Sequence, residues 1–131
     1  MLLAVVAAAA LGGQASAKEG VVARVLTAID PGAAQGTALT VEWTLTYVEA
    51  GKRQPFGGGD VFIRLFGTGD SRSRRVPAAP IRMGRYRATV RVPRGGIRRI
   101  VIGLMGTRCD TSGCRPSPMI FRIAGDPLRN A

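Results

Sequence analysis

The chain has no histidine. That removes the imidazole base, the ordinary nucleophilic triad and the histidine metal site from consideration. Acidic residues are also scarce, eight against nineteen basic ones. They stand singly at Glu19, Asp30, Glu42, Glu49, Asp60, Asp70, Asp110 and Asp126, with no close pair to suggest a carboxylate dyad. Lysine is confined to Lys18 and Lys52, at the start of the mature chain and in a loop, poor places for a desolvated serine–lysine pair. The serines lie in turns or in the N-terminal leader. The expectation is therefore a protein without catalytic machinery. Cysteine occurs only twice, which allows one disulfide and no dense framework. The longest apolar run, Leu2–Leu11, is about half of what a helix needs to cross a bilayer.

That apolar run reads instead as the core of a secretory signal peptide. Small and polar residues follow it, and Ala15-Ser16-Ala17 forms an A-x-A cleavage site. The reading is a leader at 1–17, cleavage before Lys18, a domain at 18–124 and a flexible tail at 125–131. The expected location is secreted, periplasmic or at the cell envelope, with no membrane span after cleavage. No basic residue precedes the apolar run, so a start upstream of Met1, and with it an uncleaved anchor, is the alternative. Seventeen of the basic residues are arginine, and the formal net charge is +11. Such a field favours anionic partners, although the same charge also serves solubility.

The mature chain carries period-two patterning and no sustained helical period. Leu39, Val41, Trp43, Leu45 and Tyr47 alternate with Thr40, Glu42, Thr44 and Thr46, which puts the single tryptophan on a buried face. Val61, Ile63 and Leu65 alternate with Phe62, Arg64 and Phe66. Val21–Ile29 reads as a first strand ended by Asp30-Pro31-Gly32, Val76–Met83 as a short edge strand and Met119–Ile123 as the last strand. Glu49–Asp60 and Met105–Pro118 read as loops. The best-defined stretch is Gly84–Leu104. Tyr86, Ala88, Val90 and Val92 alternate with Arg85, Arg87, Thr89 and Arg91, and the apolar run Ile100–Leu104 follows Pro93 and Gly95-Gly96. It reads as a hairpin near a core. About seven short strands without a helix predict an all-β fold, a single antiparallel immunoglobulin-like β-sandwich. A small β-barrel is the alternative.

The pattern GxYxAxVxVP over Gly84–Pro93, followed by a glycine turn and an apolar strand, resembles bacterial exported immunoglobulin-like and fibronectin-type-III-like modules, and at the weakest level YtkA-like domains. The resemblance implies an exported sandwich and little about activity. Some related exported sandwiches handle copper through histidines, which this chain does not have.

Three groups of residues are candidates for function. Cys109 and Cys114 are expected to form a disulfide that closes a small loop. The competing reading is a copper or redox site in which Met105 and Met119 join the two thiolates. Arg85, Arg87 and Arg91 share one strand face, and Arg64, Arg98 and Arg99 lie on neighbouring strands. If they converge they form a surface for phosphate, sulfate or carboxylate groups. If not, they are a solvated face that deters edge pairing. Lys52, Arg53 and Phe56 precede Gly57-Gly58-Gly59 and place two cations and a ring on a loop. That loop has none of the lysine and serine or threonine that follow a phosphate-binding glycine turn. The expected partner is an anionic envelope polymer, a lipid surface or a protein. Nucleic acid is not expected, because the face of Arg85, Arg87 and Arg91 has no outward aromatics for base stacking. No cofactor is implied.

Overall fold

The computed structural model describes residues 20–128. The expected leader and residues 129–131 of the expected tail lie outside the described residues.

Ten strands and no helix occur among the described residues. They are β1 (Val22–Val25), β2 (Ala38–Glu49), β3 (Lys52–Pro55), β4 (Val61–Phe66), β5 (Val76–Pro77), β6 (Ala79–Arg82), β7 (Arg85–Arg91), β8 (Arg99–Asp110), β9 (Gly113–Ile120) and β10 (Arg122–Ile123). Sheet A has the order β10-β1-β2-β7-β6, with β3 also paired to β2. Sheet B has the order β5-β4-β8-β9. Every pairing is antiparallel except β1 with β10. The fold is an antiparallel β-sandwich, as the alternating pattern predicts.

The alternation decides what is buried. Val41, Trp43 and Leu45 of β2 and Tyr86, Ala88 and Val90 of β7 face inward from sheet A. Val61, Ile63 and Leu65 of β4 and Ile100 and Ile102 of β8 meet them from sheet B. Trp43 is fully buried and stacks on Tyr86 with ring centroids 6.2 Å apart. Each side of the sandwich is spanned by a strand that changes sheets. Val76–Arg82 leaves sheet B as β5 and joins sheet A as β6, and Gly113–Ile123 does the same as β9 and β10, pivoting on the buried Phe121. Such switches are a way of making corners in sandwiches. They give a partly barrel-like closure.

Several expected elements differ from those observed. Gly84–Leu104 is not a hairpin: β7 lies in sheet A and β8 in sheet B. Strands facing each other across a core alternate just as strands side by side do, so periodicity does not separate the two cases. The connection crosses between the sheets through buried Ile97, whose N–H donates to the Pro31 carbonyl at 2.9 Å. Gly95 and Gly96 both have positive φ, and a Cβ on Gly96 would collide with that same carbonyl. Met105–Pro118 is not a loop but the long outer part of the β8–β9 hairpin. Its prolines and polar residues conceal it, because it extends beyond the core and has no face to bury. Glu49–Asp60 contains β3. Of Val21–Ile29, only Val22–Val25 is laddered. Near the C-terminal end, Leu128 is half-buried against the core.

Candidate functional site

The arginines singled out in the sequence do not converge. On the outer face of sheet A, Arg85 and Arg87 lie opposite Thr44 and Glu42 of β2. Glu42 accepts from both guanidiniums. Arg85 Nη2 donates to Oε2 at 2.6 Å and Arg87 Nη2 to Oε1 at 2.7 Å, each supported by its Nε. These bonds, Arg85 first and Arg87 second, hold the Glu42 carboxyl below the ordinary carboxylate range. Arg91, one strand turn further along, donates to the Gly36 carbonyl at 2.9 Å. It lines an open groove of about 610 Å³ with Arg72, Arg94 and Asp70. The face is therefore largely occupied by its own contacts.

The outer face of sheet B is different. Phe62, Arg64 and Phe66 point outward from β4, beside Gly103, Val101 and Arg99 of β8. Gly103 leaves a gap that the Phe62 ring covers, because a Cβ there would stand 2.9 Å from that ring. Arg75 stacks over Phe62 at 4.9 Å from the ring centroid, and Arg99 over Phe66 at 4.1 Å. A bridge brings Arg72 opposite Phe66. Arg64 stands between the two rings. Desolvation first, then the charges of Arg72 and Arg75, makes its cationic form less comfortable than in water. Its Nε is buried with no hydrogen-bond partner. Among the described residues, the ion pairs are those of Glu42 and Asp110, and neither touches this group.

Arginines held over ring faces make no hydrogen bond to those rings and keep N–H groups for bidentate contact with an oxyanion. Four members of this cluster are passed over in sequence: Arg72 and Arg75 lie in a turn-rich segment, and Phe62 and Phe66 read only as alternating strand residues. The signal that locates the site is the Phe-Arg-Phe alternation of β4 itself.

The remaining candidates are separate. Arg98 is exposed where β8 begins, and its N–H donates to the Phe66 carbonyl. Lys52 and Arg53 lie on β3, with Arg53 Nη1 bonded to Thr46 Oγ1 at 2.9 Å. Phe56 is half-buried and meets Phe121 and Tyr47 edge to face. The triple glycine is tied down, since Gly58 N–H donates to the Tyr86 hydroxyl at 3.0 Å and that hydroxyl donates to the Phe56 carbonyl. Cys109 and Cys114 form a disulfide across β8 and β9. Met105 and Met119 sit in adjacent register pairs, which places them on opposite faces of that ribbon. The four sulfur side chains are therefore not gathered into one site. No family model, curated protein or solved structure matches the chain.

Proposed function

We propose that this protein is an exported, non-catalytic binding module that engages an anionic polymer through the arginine-capped outer face of sheet B. The observation that carries the reading is the unpartnered, partly desolvated Arg64 between two ring-stacked arginines, in a group with no carboxylate of its own. An incoming phosphate, sulfate or carboxylate pairs with the accessible guanidinium edges of the group and offsets the repulsion among the cations. A polymer suits the face better than a bilayer. Phe62 is buried and Phe66 half-buried under guanidiniums, so neither ring is free to insert into lipid or to stack on a base. Export accords with the A-x-A leader and the disulfide.

The test is retention of the purified protein on polyphosphate, a sulfated polysaccharide and anionic liposomes across a salt series. Alongside run the triple variants Arg64→Ser/Arg75→Ser/Arg99→Ser and Arg85→Ser/Arg87→Ser/Arg91→Ser. Expected are salt-sensitive retention on polymer, loss in the first variant and little change in the second. Equal retention by both variants refutes the assignment of the face, and stronger retention on liposomes than on polymer refutes the choice of ligand.

A further inference from the structure

The β8–β9 ribbon leaves the body of the sandwich near Met105 and ends in the Thr111–Ser112 turn. Its two edges have opposite chemistry. In an antiparallel pair, residues of the narrow, non-hydrogen-bonded type turn their N–H and C=O groups away from the partner strand. Cys109 and Cys114, with Cα atoms 4.0 Å apart, form such a pair. Alternation makes Thr107–Pro116 and Met105–Pro118 pairs of the same type. Met105 agrees, since its N–H donates outward to the Asp60 carbonyl at 3.0 Å.

On β9 the outward positions are therefore Cys114, Pro116 and Pro118, and the two prolines leave only the Cys114 N–H, beside the turn, to offer a further strand. On β8 the outward positions past Met105 are Thr107 and Cys109, and both have an N–H. β4 begins at Val61, opposite Leu104, so it does not reach these two residues. The chain entering β4 bends at Asp60, whose φ is 56°. Among the described residues no strand pairs with β8 along this stretch.

Beside the open edge lies a cavity of about 190 Å³ lined by Phe56, Leu104, Gly106, Thr107, Met119 and Phe121. It is smaller than the roughly 300–1,000 Å³ of small-molecule sites, and its lining suits one apolar side chain. Gly106 adds no side chain to this space; a Cβ there would stand 3.3 Å from the Ser117 carbonyl and 3.8 Å from Leu104. The nearby charge is net positive: Arg108 is exposed and makes no ion pair, and β3, which leads into Phe56, carries Lys52 and Arg53, against Asp60 at the edge and Asp110, which is paired with Arg115. A net charge of +11 disfavours a second copy of the chain as the occupant.

We infer that this edge accepts an extended acidic segment of a partner protein as an added strand. The segment pairs with Thr107 and Cys109 and places one apolar side chain in the cavity floored by Phe56 and Phe121. This is strand addition, in which main-chain bonds supply affinity and a side-chain pocket supplies selectivity. The site is independent of the sheet B arginines.

The probe is a pooled library of random octapeptides selected on the oxidised protein, with amide hydrogen exchange as the second readout. In the free protein the Thr107 and Cys109 amides should exchange quickly. Selected peptides should carry acidic residues around one apolar residue, and should slow exchange at both amides at least tenfold. Thr107→Pro should weaken binding at least tenfold, and Gly106→Val, which fills the cavity, should weaken it several-fold. Methylating alternate backbone nitrogens of the peptide tests the pairing without touching the protein, and one of the two methylation registers should abolish binding. Arg64→Ser/Arg75→Ser/Arg99→Ser should leave it unchanged. The inference is overturned if both amides are already protected in the free protein, if selection enriches nothing, if Thr107→Pro binds equally well, or if neither methylation register matters.

Discussion

Replacing Cys109 and Cys114 by serine removes the one cross-link in the chain, and the structure dictates where the loss should be felt. The cysteines are five residues apart in sequence. Chain-entropy reasoning for so small a loop gives about 2 kcal/mol. If that loss were charged to global unfolding, a domain of about a hundred residues would melt roughly 8 °C lower. However, Thr107–Pro116 is exposed throughout and contributes nothing to the core. A two-stranded ribbon of this kind is marginal by itself, so it should open locally before the sandwich unfolds. Once the ribbon is frayed at the start of the global transition, the cross-link no longer changes that transition. The expected result is a small melting shift, about 2 °C or less, with exchange of the cross-strand amides of Gly106, Arg108, Asp110, Gly113, Arg115 and Ser117 accelerating roughly 30-fold. Exchange in β2, β4 and β7 should stay as it was. Differential scanning calorimetry with exchange mass spectrometry reads both quantities. A shift of about 8 °C with no selective acceleration in the ribbon would refute the separation of ribbon from core.

Other consequences follow from the packing and the ion pairs. Ile102→Ala empties a fully buried position on the inner face of sheet B and should cost about 2–5 kcal/mol in chemical denaturation. Gly103→Ala drives a Cβ against the Met119 carbonyl and the Phe62 ring. It should destabilise by about 1–3 kcal/mol and, by displacing Phe62 from under Arg75, weaken retention on polyphosphate. For Glu42 the sign comes from its lowered pKa. Its contribution is present above the unfolded carboxyl value near 4.5 and is lost as pH falls through the lower folded value. Glu42→Gln should therefore melt below the parent at neutral pH, and the gap should close as the pH drops beneath 4.5 in a pH series of melting curves.

The layering of the fold is legible from residue periodicity, because a buried strand face repeats every second residue. β2, β4 and β7 follow the alternation of Val41-Trp43-Leu45, Val61-Ile63-Leu65 and Tyr86-Ala88-Val90. Strand partnership is not legible in the same way. β7 and β8 read as neighbours although they oppose each other across the core. The outer half of β8–β9 buries no face, so it leaves no periodic signal at all.

The candidate site was half legible. Arg64 and Arg99 belong to the sheet B cluster, whereas Arg85 and Arg87 are taken up by Glu42. That carboxylate lies on a strand more than forty residues earlier, and only register brings it opposite Arg87. The stacking of Arg75 on Phe62 depends on a turn whose path no pattern encodes.

The central claim is that the oxyanion site is the Arg64 face and not the Arg85 face. Titrating polyphosphate into the protein while following the arginine Nε–Hε resonances by NMR compares the two faces in one sample. The account predicts that Arg64, Arg75 and Arg99 shift together and saturate, while Arg85 and Arg87 stay where Glu42 holds them. Shifts confined to Arg85 and Arg87, or no saturable shift at Arg64, would contradict it.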